Sequence, residues 1–86
     1  MKIDTKLRDQ LFEVIDNQMK GNDPPETKLT YERLRNEGYD DFETKQLIGQ
    51  CLAVEIFDVL KMRRLFDRER YVRNLNRLPE EPLEEE

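Results

Sequence analysis

Glu55 and Asp58 stand three residues apart, and Cys51 precedes Glu55 by one helical turn. On a helix, that spacing puts all three on one face. A carboxylate pair so placed can hold a hard cation or divide the roles of acid and base. In a helical bundle the carboxylate-bridged metal site also requires Glu-x-x-His partners, and the chain contains no histidine. The same absence removes the usual base near neutral pH and the partner that would activate Cys51 as a nucleophile. Cys51 sits among Leu47, Ile48, Leu52 and Val54, where a thiol keeps a high pKa and packs as a small hydrophobe. Gly21, Gly38 and Gly49 are isolated, so no glycine-rich phosphate loop exists. No catalytic residue, metal ligand or cofactor is therefore expected. Glu55 and Asp58 read instead as a polar strip on an otherwise buried helix, paired with Arg63, Arg70 or Arg73, or as part of a dimer interface.

The second constellation is basic. Residues 61–77 hold Lys61, Arg63, Arg64, Arg68, Arg70, Arg73 and Arg77 against Asp67 and Glu69. Arg70, Arg73 and Arg77 would form a stripe on one helix face, with Tyr71 beside it. Guanidinium stripes neutralise phosphates, and an exposed tyrosine stacks on bases. The rest of the chain argues against this reading. Residues 1–60 carry 8 basic and 13 acidic side chains, and residues 78–86 add five glutamates and no base. With a pI near 4.8, the chain lacks the basic footprint of a nucleic-acid binder. A basic face balanced by acidic helices and tail is the plainer reading.

Four helices position these residues. The first is expected from Asp4, its N-cap, to Lys20, with Leu7, Leu11, Val14, Ile15, Gln18 and Met19 on one side and Gly21 at C′. Asp23-Pro24-Pro25-Glu26 supplies a cap, a proline at N1 and a carboxylate at N3 for the second, which ends at Gly38. There Leu34 and Tyr39 form the hydrophobic pair of a Schellman ending. Asp40 and Glu43 make a capping box for the third. Its segment 47–60 is apolar on nearly all sides, interrupted only by Glu55 and Asp58 among its last ten residues. Gly49 would allow a second backbone to approach. The fourth runs from about Arg68 to Arg77, capped by Asp67, with Phe66 and Tyr71 as a hydrophobic staple and Tyr71, Val72, Leu75 and Leu78 facing inward.

The 86 residues make one small domain, whose core is modest for its surface. Charged residues are 41% of the chain and hydrophobic ones 36%, which suits a small core under a densely charged surface. A single cysteine allows no internal disulfide and suits a reducing compartment. The start, Met1-Lys2-Ile3-Asp4, shows no apolar signal region, and no stretch is apolar enough for a membrane span. A cytoplasmic location is expected, with no membrane partner.

Several segments, taken as a set, resemble an uncharacterised bacterial family of small helical proteins, a domain of unknown function. They are Asn22 to Thr27, Tyr31 to Leu34, Glu37-Gly38-Tyr39, Leu47-Ile48-Gly49, Leu52 to Phe57, and Phe66-Asp67 with Tyr71 and Leu75 to Pro79. The likeness spans about residues 7–79 and implies a helical fold without implying an activity. Some members of that family carry histidines in the turn leading into the third helix. Phe42 and Gln46 stand there in this chain, so the resemblance implies no metal binding at that turn.

The expected protein is thus all-α: a small four-helix domain over residues 1–79, with a long central third helix, and a disordered acidic tail over 80–86. The expected function is a non-enzymatic protein–protein interaction module, homodimeric through the third helix or bound to another protein. Its candidate interaction residues are Glu55, Asp58, Arg63, Arg64, Arg70, Arg73 and Arg77. The alternative is a nucleic-acid-associated protein using residues 61–77 and masked by its own acidic tail.

Overall fold

The computed structural model describes residues 4–83. It contains four helices, α1 (Thr5–Gly21), α2 (Pro25–Asn36), α3 (Asp41–Met62) and α4 (Arg68–Arg77), and no strand among the described residues. At 22 residues α3 is the longest helix, and it contacts each of the other three.

Local chemistry sets each boundary. The Asp4 carboxylate accepts the Leu7 N–H at 2.8 Å and starts α1. The end of α1 is one residue later than expected: Gly21 is still helical, and Asn22 takes the left-handed position at φ 52°. Asp23 N–H then reaches back to the Gln18 carbonyl, completing a Schellman ending one residue on. Asn tolerates that conformation because its short amide is among the side chains that fit there. The start of α2 also departs from expectation. Pro24 is the cap residue, Pro25 opens the helix, and no side chain caps it. Asp23 instead pairs with Arg68 at 3.0 Å, so its carboxylate tethers the α1–α2 turn to the start of α4.

The other signals form as expected. Tyr39 N–H bonds to the Leu34 carbonyl and Gly38 N–H to Arg35, with Gly38 at φ 106°, a conformation open to a residue without Cβ. Asp40 and Glu43 exchange both capping-box bonds, at 2.8 and 2.9 Å. Asp67 accepts the Arg70 N–H at 3.0 Å, and the Phe66 and Tyr71 rings meet edge to face with centroids 5.6 Å apart.

The core gathers Leu11 and Ile15 of α1, Leu34 of α2, Ile48, Cys51, Leu52 and Ala53 of α3, and Tyr71, Leu75 and Leu78 of the last segment. The first half of the apolar α3 segment is therefore covered by the chain's own helices. Gly49 lies against α1, but the nearest atoms to a Cβ there would be side-chain carbons of Ile15 and Leu11 at 3.9–4.0 Å. The expected close backbone approach does not occur.

Polar side chains lock the helices together. Gln18 Oε1 accepts from both the Thr27 and Tyr71 hydroxyls at 2.8 Å, joining α1, α2 and α4 inside the core. Arg33 donates to the carbonyls of Leu75 and Leu78 at 3.0 and 2.9 Å, satisfying groups that α4 leaves open at its C-terminus. The segment after Pro79 was expected to lack order. As far as Leu83 it is instead held down: the amide of buried Asn74 both donates to the Leu83 carbonyl and accepts its N–H, each at 3.0 Å. The remaining glutamates, residues 84–86, lie outside the described residues.

Candidate interaction surface

Glu55 is fully buried on α3, and Arg70 of α4 is 2% exposed beside it. The Arg70 guanidinium meets the Glu55 carboxylate with two nitrogens, Nε at 2.5 Å and Nη2 at 2.9 Å. The same Nη2 reaches Asp58 at 3.1 Å. Asp67 N–H, at the N-terminus of α4, donates to Glu55 Oε1 at 3.1 Å. These hydrogen bonds, Glu55's first, hold the Arg70 guanidinium more firmly protonated than usual, against the opposing effect of burial. The i, i+3 carboxylates thus have a cation between them. They form a buried ionic joint between α3 and α4, as the pairing with Arg70 anticipated. Among the described residues no group of His, Cys, Asp and Glu is arranged to hold a metal ion.

The joint removes Arg70 from the arginine stripe of the alternative nucleic-acid reading. Arg70 faces the core, and Tyr71 has no exposed surface on which a base could stack. Arg73 is exposed and Arg77 half-buried on α4, with Arg77 3.8 Å from Glu80. Arg63 and Arg64 belong to a different place, the linker between α3 and α4. Arg64 lies 3.8 Å from Asp58 and is mostly exposed. Of the seven candidate residues, Glu55, Asp58 and Arg70 form one cluster, with Arg64 at its edge. Among the described residues, Arg63 and Arg77 do not join it.

Burial pushes the Cys51 thiol up to about 12, so it stays protonated and inert. Tyr71, also raised to about 12 by burial, remains a neutral core phenol.

What sequence periodicity missed lies just beyond the ionic joint. Past Asp58, α3 outruns the helices that cover it. Val59, Leu60 and Met62 at its end, and Leu65 and Phe66 in the linker, are all exposed, Leu60 by 70% and Leu65 by 92%. Ile56, Val59, Leu60, Arg64, Leu65 and Phe66 line an open apolar groove of about 360 Å3. Two features hold the linker in this shape. Arg63 ends α3 in the left-handed conformation, at φ 56°, and the Phe66–Tyr71 staple anchors the far side. The available signal was Leu65-Phe66, an apolar pair out of register with either helix and following a cationic run.

Among the described residues no helix is long and apolar enough to cross a membrane. Comparison with protein-family models, with curated proteins and with solved structures finds no match to this chain. The bacterial family resemblance gains no support from these comparisons, and the surface must be read from its own chemistry.

Proposed function

We propose that this chain is a non-enzymatic protein–protein interaction module acting in the cytosol, and that it docks through the C-terminal end of α3 and the linker to α4. One observation carries the reading: of the nine large apolar side chains left exposed among the described residues, five fall within residues 59–66. Val59, Leu60, Met62, Leu65 and Phe66 together expose the equivalent of about three whole side chains. That is on the order of 500 Å2, within the range of the largest apolar patch on a typical monomer, a patch that is often functional. The interface first expected along segment 47–60 is thereby narrowed to its last turns, because Ile48 to Glu55 are used internally.

The alternative reading, association with nucleic acid, keeps Lys61, Arg63, Arg64, Arg68, Arg73 and Arg77 but loses Arg70 and Tyr71 to the core. It leaves the exposed leucines without a role.

Selection from a random peptide library on the purified protein tests the main reading. Peptides recovered against the wild type should lose binding to Leu60→Ser and Leu65→Ser. A selection that recovers nothing, or peptides indifferent to both substitutions, would contradict it.

A further inference from the structure

Charge around the groove discriminates among occupants. Residues 59–68 carry Lys61, Arg63, Arg64 and Arg68 against Asp67 alone. The Asp67 carboxylate caps α4 through the Arg70 N–H, and Arg68 is paired with Asp23 at 3.0 Å, which leaves Lys61, Arg63 and Arg64 as the cations nearest the groove in the chain. The stretch is therefore +3, while the whole chain is −5, so everything outside it sums to −8. Arg64 lines the groove with a side chain 60% exposed, and its one acidic neighbour is as distant as 3.8 Å. Arg63 adds a second observation. It occupies a left-handed position that glycine would fill without strain, and a larger side chain there costs roughly 1 kcal/mol. Arg63 immediately precedes the groove-lining Arg64 in the chain.

We infer that the groove receives an acidic amphipathic segment of a different protein: one helical stretch with apolar side chains at i, i+3 and i+4, flanked by glutamates or aspartates. The inference rests on the protein-docking reading of the same surface and adds the partner's chemistry. The apolar side chains fill the space between Val59, Leu60, Leu65 and Phe66, and the carboxylates meet Arg64, which lines the groove, with Lys61 and Arg63 beside it in the chain. A patch on the order of 500 Å2 is smaller than the ~800 Å2 each side contributes to a standard interface, which suits a single helix steered by charge.

Other occupants fit less well. A twofold dimer through this patch would set Lys61, Arg63 and Arg64 against their own copies. A nucleic acid offers nothing to the apolar groove. An anionic bilayer would attract the +3 stretch but meet the −8 remainder of the molecule.

The test uses two labelled synthetic peptides, measured by fluorescence anisotropy on the full chain. Both carry leucine at i, i+3, i+4 and i+7; one has glutamate at the remaining positions and the other lysine. Vesicles of phosphatidylserine and phosphatidylcholine, and a single-stranded oligonucleotide, are run in parallel. The glutamate peptide should bind at least about tenfold more tightly than the lysine peptide, a difference of about 1.4 kcal/mol. Its binding should weaken with salt, and Arg64→Glu should reduce the preference with the circular dichroism of the variant unchanged. Equal or tighter binding of the lysine peptide, lost in Leu60→Ser, would overturn the acidic partner and leave the docking surface standing. Tighter binding of vesicles or oligonucleotide than of the glutamate peptide would overturn the inference in favour of those classes. No binding by either peptide would overturn the inference and count against the docking reading as well.

Discussion

Arg70 and Glu55 face each other inside the protein, guanidinium to carboxylate, with two nitrogens at 2.5 and 2.9 Å and almost no exposure to solvent. The pair joins α4 to α3 immediately below the exposed groove. Asp58 and the Asp67 N–H also bond to the pair, which ties the linker's far end to the same ionic joint.

Breaking one side of that pair strands a buried charge. Arg70→Met and Glu55→Leu should each destabilise the protein by about 3–5 kcal/mol, and the double variant should recover much of the loss. Urea unfolding of the three variants measures this. Additive losses in the double variant would show that the two charges are not coupled.

Alkaline pH should also destabilise the fold, through Tyr71. Burial raises its pKa to about 12 from the ordinary phenol value of 10.0. The folded state then keeps the phenol neutral while the unfolded chain ionises. The contribution is complete below about pH 10 and is lost as pH rises towards 12. Two pH units correspond to about 2–3 kcal/mol. Lys45, raised chiefly by its hydrogen bond to Asp16, loses its contribution in the same direction as pH climbs past its usual value. Tyr71→Phe should flatten the tyrosine part of the slope, although it also loses the bond to Gln18. An unchanged slope in unfolding midpoints between pH 9 and 12 would contradict this account.

Gly49 is a removable weakness. A methyl group there would meet Ile15 and Leu11 at ordinary contact distance. Gly49→Ala should raise stability by up to about 1 kcal/mol, because alanine is the better helix former. A fall in Tm would show that α1 cannot accommodate the added carbon.

Much of this fold is legible in the sequence because its boundaries are written in short-range chemistry. The Asp40–Glu43 box, the Leu34–Gly38–Tyr39 ending and the Phe66–Tyr71 staple each depend on residues within a turn or two of one another. The errors arise where two local solutions compete. Asn22 and Gly21 both suit a helix end, and Asn22 takes it; Asp23 could cap α2, but pairs with Arg68 across the fold.

The interaction surface was less legible, for a physical reason. Periodicity shows that α3 is apolar all round, but it does not show how far the other helices reach along it. Full burial ends at Glu55, Ile56 and Phe57 still pack half-buried on the core, and exposure begins at Val59, a tertiary fact set by where the other helices lie. For the same reason Arg70 and Arg73 look alike in sequence, yet one is buried and the other exposed. The Glu55–Asp58 strip was readable as an ionic pair because carboxylates on a buried helix require a cation, and the arginines lay close by.

The exposed leucines separate docking from folding. Leu60→Ser and Leu65→Ser should change stability by no more than about 0.5 kcal/mol, while Leu34→Ala in the core should cost about 2–5 kcal/mol. Binding of a hydrophobic dye should fall in the two surface variants. A loss comparable to the core variant would place these leucines in the structural core.

Amide chemical-shift mapping of the full chain with the glutamate-flanked leucine peptide tests the central claim most directly. The account predicts shifts concentrated at Ile56, Val59, Leu60, Arg64, Leu65 and Phe66, fading along α1 and α2. Shifts confined to Arg73 and Arg77, spread evenly over the surface, or absent at saturating peptide would contradict it.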